Sequence, residues 1–201
     1  MPEPSSTKDR ILDAALASFG TRGYEATSLD ALAGGLGFSK QTILYHFSTE
    51  ETLLEAVIDR SAAELSTALE YALRRAGPGL DRVEAVVRSV FRLAGRRPQL
   101  LGLVREVSRL GPPATARLTC ALDPLVARAT GFLEAEMAAG RMRRQDARLL
   151  LLNAYSVVIG AATEVEVLRA LGYEPTARSL VRRRAELMTF LRSALTPAPA
   201  A

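Results

Sequence analysis

Apolar residues recur three and four positions apart along nearly the whole chain, and nowhere do they alternate with polar ones as in a half-buried strand. Ile11, Leu12, Ala15 and Phe19 share one face of a first helix that starts after Ser6 or Thr7. Asp9, three residues beyond Ser6, completes a capping box, and Gly23 can take the left-handed conformation that ends the helix. Thr27 and Ser28 can cap a second helix whose inner face is Leu29, Leu32 and Ala33, with Asp30 in its favourable first turn. Gly37 turns the chain, and Ser39 caps a short third helix, Lys40 to about His46, that points Ile43 and Phe47 inward. Ser48 with Glu51 reads as another capping box, opening a fourth helix that ends near Arg75, before Ala76-Gly77-Pro78-Gly79. Further helices are expected at 80–95, 98–110, 113–139 (kinked or interrupted near Pro124), 145–171 and 176–195. The chain reads as all-α, with about nine helices. Residues 1–50 form a three-helix domain and residues 51–201 a larger helical body.

The 201 residues suffice for one or two domains with a core that needs no staples. A lone cysteine, Cys120, excludes an internal disulfide and fits a reducing compartment. No apolar run approaches the roughly 18 residues of a membrane span, and MPEPSSTKDR lacks the apolar stretch of a signal peptide. The expected location is the cytoplasm. The single histidine, His46, lies in the third helix, and no metal-ligand cluster, nucleophile–base set or phosphate-cradling glycine loop stands out. Glu164 and Glu166, two apart on a helix, diverge and make no carboxylate pair. No enzyme, cofactor or metal is expected.

Residues 32–47, LAGGLGFSKQTILYHF, are a short helix, a glycine turn and a second short helix, the pattern of a helix-turn-helix. A helix that reads DNA must be short, held rigidly by an apolar inner face and polar outside. Ser39, Lys40, Gln41, Thr42, Tyr45 and His46 meet that description, and Thr27 and Ser28 stand where the preceding helix crosses the DNA backbone. Gln41 could pair with adenine N6 and N7, and Lys40 with guanine or a phosphate. Net charge tempers the reading. The chain carries +4 overall, yet residues 1–50 hold Lys8, Arg10, Arg22 and Lys40 against six acids, so that part is formally 4 − 6 = −2. The basic runs around Arg141–Arg144 and Arg182–Arg184 read as solvated helix surfaces. A plain corner between two helices, with no nucleic-acid role, is the competing interpretation.

The combination Ile11-Leu12 with Ala14-Ala15, Phe19, Gly23-Tyr24, Thr27-Ser28-Leu29, Leu32-Ala33, Gly37-Phe38-Ser39, Thr42-Ile43 and Tyr45-His46-Phe47 resembles the N-terminal domain of the tetracycline-repressor (TetR) family. The likeness covers about residues 8–55. It implies a homodimer on a pseudo-palindromic duplex operator, with a small-molecule effector in the C-terminal domain relieving repression. Three positions depart from the family pattern: Gln41 where glycine is frequent, Leu44 where an aromatic is, and Glu50 where a phosphate-binding lysine is usual.

Segment 145–171 is apolar nearly all round and must be covered on most sides, either by a twin in a dimer or within a monomeric core. Gly160 and Ala161 would let backbones approach. Leu180, Leu187, Phe190 and Leu191 on the last helix would complete a four-helix dimer interface, as the resemblance implies. Phe91, Glu106, Met137, Tyr155 and Thr163 combine apolar bulk with polar handles and are candidate contacts for a mostly apolar effector. The competing function class is a helical dimer that binds a small molecule or partner without reading DNA.

Overall fold

A computed structural model of the chain describes residues 6–197, and among these there are ten helices and no strand. They group into two compact units that interleave along the chain: residues up to Glu64 with Arg97–Ala121, and Leu65–Arg96 with the residues from Leu122 onward. The expected boundary at residue 50 is therefore not where compactness divides.

In the first unit, α1 (Thr7–Arg22) begins at Ser6, whose hydroxyl oxygen accepts the Asp9 N–H at 3.1 Å and donates to the Asp9 carboxylate at 2.6 Å. α2 (Leu29–Leu36) is capped by Ser28 and closed by Gly37, which sits at φ 69°, while the Phe38 N–H reaches back to the Ala33 carbonyl at 2.9 Å. α3 (Lys40–His46) is capped by Ser39. α4 (Glu50–Arg74) starts one residue later than the 48/51 capping box predicts. Thr49 and Thr52 cap each other instead, each hydroxyl accepting the other's N–H at 3.1 and 3.0 Å. α6 (Pro98–Leu110) opens on a proline, which has no N–H to leave unsatisfied in the first turn.

One buried cluster holds these elements together, taking Ile11, Leu16 and Phe19 from α1, Leu32 from α2, Ile43 from α3, Leu53 and Val57 from α4, and Leu103 and Val107 from α6. Between α1 and α6 the packing is glycine-mediated. A Cβ on Gly20 would fall on the Gln99 carbonyl, and one on Gly102 would fall on the Gly20 carbonyl. No side chain fits in that crossing.

In the second unit, α5 (Leu80–Arg96), α8 (Ala147–Thr163) and α10 (Ala177–Leu195) pack on one another. α7 (Ala114–Ala138) runs through Pro124 without the expected interruption. The long helix expected over 145–171 is two. Asp146 caps α8 by accepting the Arg148 and Leu149 N–H groups, each at 2.9 Å. At Glu164 the backbone leaves helical values (ψ 76°), and α9 (Val165–Ala170) follows. Glu84 accepts from Arg88 and Arg192, joining α5 to α10, and Glu136 is held by both arms of Arg141 at 2.7 and 2.8 Å. These guanidiniums hold both carboxyls below the usual carboxylate range.

Candidate nucleic-acid interface

α3 is short, and its position is fixed from several sides. Ile43 and Phe47 are buried, and Leu44 packs half-buried against the same core. The Lys40 ammonium reaches the Asp30 carboxylate at 2.9 Å, tying the first turn of α3 to the first turn of α2. Arg10 donates to the Leu36 carbonyl at 3.3 Å, where the negative end of α2 favours a cation, and lies 4.6 Å above the Phe38 ring. Both ends of the turn are thus anchored by α1.

The face of α3 that remains open carries the side chains the sequence points to. Gln41 and Tyr45 are exposed, Tyr45 to 85 %, with its ring edge-on to His46 at 5.2 Å. Ser39 and Thr42 share a hydrogen bond at 3.0 Å between their hydroxyls, half-buried Thr42 beside exposed Ser39. Ser28 is exposed at the start of α2. Thr27 is different: it is 4 % exposed, and its hydroxyl donates to the Gly23 carbonyl at 2.8 Å, beside Ser18. The Thr27 hydroxyl is thus turned inward and satisfied inside the unit, unlike that of Ser28.

Glu50 is half-buried at the first position of α4, and burial, followed by repulsion from Glu51, raises its carboxyl above the usual range. Burial likewise pushes the Tyr24 hydroxyl up to about 12, with Glu50 and Glu51 adding to it. The basic residues of this region are partly engaged, Lys40 with Asp30, Arg22 with Ser18 and Lys8 over the Phe47 ring at 5.8 Å.

The other expected sites separate by unit. Phe91 and Met137 are buried, Thr163 is half-buried with its hydroxyl on the Ile159 carbonyl at 2.8 Å, and Tyr155 is exposed, all in the second unit. Glu106 lies in the first unit, where it accepts from the Tyr24 N–H and from Arg109. Leu187 and Leu191 are buried within the single chain. Leu180 packs beside Gly95, and Ala161 offers its carbonyl to Arg183 at 2.7 Å. Phe190 is exposed, and a Cβ on Gly160 would meet nothing within 4 Å. Leu149 and Leu152, exposed on α8, are additional apolar residues on the surface that the all-round apolar pattern could not single out.

Two short helices joined by a left-handed glycine, with a polar outward face on the second, make a helix-turn-helix. Residues 11–57 match the model of the bacterial regulatory proteins of the tetR family. The HTH-type transcriptional activator FasR of Mycolicibacterium smegmatis is 31% identical over 139 residues, 65% of this chain and 63% of FasR. The negative transcriptional regulator IcaR of the biofilm operon icaADBC in Staphylococcus aureus is 35% identical over 48 residues, 24% of this chain and 26% of IcaR. The aligned stretches span less than two thirds of either relative. The fold of the ketosteroid transcriptional regulator KstR2 of Mycobacterium tuberculosis is similar over 98% of both chains, with TM-score 0.77 at 16% identity. A putative transcriptional regulator from Saccharomonospora viridis in complex with choline is similar over 97% of this chain and 100% of that one, with TM-score 0.78 at 21% identity. Together these matches support a transcriptional regulator of the TetR family, with the family model itself confined to residues 11–57. The relatives named are regulators of transcription, not enzymes.

Proposed function

We propose that the protein is a transcriptional regulator that reads duplex DNA with α3, works as a homodimer in the cytoplasm and answers to a small effector. The observation that carries the DNA reading is the outward face of α3: Gln41 and Tyr45 stand open on a helix whose opposite side is locked by Ile43 and Phe47. A glutamine placed there can make the bidentate adenine contact, worth about 1–3 kcal/mol of discrimination. Dimerisation is supported by Leu149, Leu152 and Phe190, large apolar residues left exposed on α8 and α10, and by the open flank of Gly160. Effector binding is assigned to the second unit, where Phe91, Met137, Tyr155 and Thr163 lie. Its mostly apolar interior suits a small, mostly apolar molecule, and the effector acts by lowering affinity for the operator.

Repression is the primary reading, since a dimer spanning two major-groove half-sites blocks whatever else would occupy them. Activation is the second, favoured because the 139-residue match is to a protein named as an activator. The test is a gel shift with the duplex upstream of the protein's own gene, followed by transcription from that region. Wild type is expected to shift the duplex at low salt. Gln41→Ala and Tyr45→Ala are each expected to weaken binding at least tenfold with unchanged melting. No shift at low salt, or indifference to both substitutions, rejects DNA reading in favour of a dimer that only binds ligand or partner.

A further inference from the structure

We infer that Glu106, on α6, is a positioning residue for operator reading: it hooks the connector between α1 and α2 and so sets the aim of the helix-turn-helix. The inference rests on the DNA reading proposed above.

The connector, residues 23–28, is a chain of hydrogen bonds. Thr27 donates its N–H to the Tyr24 carbonyl at 3.0 Å and its hydroxyl to the Gly23 carbonyl at 2.8 Å, and Ser28 then caps α2 by accepting the Ala31 N–H at 3.2 Å. At the head of this chain the Tyr24 N–H donates to Glu106 Oε1 at 2.7 Å. That carboxylate is 10 % exposed, whereas Glu25 and Ala26 beside the turn are open to solvent. A surface turn could leave its amide to water; here a charged and largely buried acceptor from another helix takes it, which makes a short, strong bond.

Three features keep that acceptor in place. Arg109 grips it with Nε at 2.9 Å and Nη2 at 2.9 Å, and extends the same guanidinium to Glu25 on the connector at 3.1 Å. Gly23, at φ 95°, makes room for it, because a Cβ there would stand 3.1 Å from Oε1. The backbone crossing at Gly20 and Gly102 prevents α6 from sliding along α1 without a clash, so the hook hangs from a rigid point. Arg109 also holds the Glu106 carboxyl below its usual range, which keeps the acceptor charged. From Ser28 onward the geometry passes through α2 and the Lys40–Asp30 pair to α3.

The experiment uses full-length Glu106→Ala, Glu106→Gln and wild type, in operator titrations by fluorescence anisotropy, thermal melting and amide exchange. Glu106→Ala is expected to weaken operator binding at least tenfold at a temperature where it is fully folded. Its log–log salt slope should stay unchanged, because no phosphate contact is lost. Exchange at Tyr24 should accelerate at least tenfold while amides of α4 keep wild-type rates. Glu106→Gln still offers an oxygen to the Tyr24 N–H and should fall between the two. Operator affinity within twofold of wild type in folded Glu106→Ala overturns the proposal alone, as does unchanged Tyr24 exchange. If Glu106→Ala does not fold, wild-type affinity and exchange in Glu106→Gln overturn it. Wild type that binds no duplex overturns the DNA reading and this proposal together.

Discussion

Tyr45 and Glu50 stand five positions apart and treat a phosphate backbone in opposite ways. On the proposed DNA reading, Tyr45 would offer it a ring and a hydroxyl donor, while Glu50 would offer a carboxylate on the first turn of α4. Because burial raises the Glu50 carboxyl above about 4.5, its charge is disfavoured in the folded protein. The stability linked to it is present below the unfolded value and lost as pH rises through the higher folded value. Operator affinity should follow the same direction, tightening as pH falls through the raised value and the repulsion disappears. Glu50→Gln is expected to bind operator several-fold more tightly at pH 7 and to flatten that dependence, and Glu50→Lys to steepen the log–log salt slope by about 2 per dimer. Anisotropy titrations across pH and salt check both. At this scale the exposed positions of α3 were legible from helical spacing, since Gln41 and Tyr45 fall opposite Ile43 and Phe47. Thr27 was not: two adjacent hydroxyl residues precede Leu29, either able to cap, and only packing against Ser18 decides which one turns inward.

α2 contains Gly34 and Gly35 in open helical positions, where an added Cβ meets nothing within 4 Å. Alanine at either should therefore stabilise the protein by up to about 1 kcal/mol. The same change at Gly20 has the opposite sign, because the Cβ strikes backbone; its cost should reach or exceed the roughly 1–3 kcal/mol of overpacked cores. Thermal melting of the three variants measures the contrast. Local signals made the small helices legible almost to the residue, since a capping hydroxyl or a turn glycine acts within four positions of itself. Signals between distant residues were silent. Gly20 reads alone as a helix stop and Gly102 as a weak point in a helix, and nothing in either announces that they touch. Glu164 carries no breaker signature, so the periodic pattern ran on through a site where the backbone turns.

For the whole molecule, exposed apolar residues on α8 and α10 predict a second copy of the chain as partner. Leu152→Glu combined with Phe190→Glu should convert a dimer to a folded monomer in sedimentation velocity, with operator affinity falling sharply because two half-sites are no longer read together. Leu187→Ala should instead lower stability by about 2–5 kcal/mol and leave the assembly intact, because that side chain is buried in its own unit.

The return of α6 to the first unit also bears on how such a chain can be rebuilt. Exchanging the second unit for another would need three joints, after Glu64, Arg96 and Ala121. Two of these fall inside α4 and α7, where a graft must match helical phase. A single crossover near residue 50 would separate Gly20 and the 23–28 connector from the Gly102 and Glu106 that meet them.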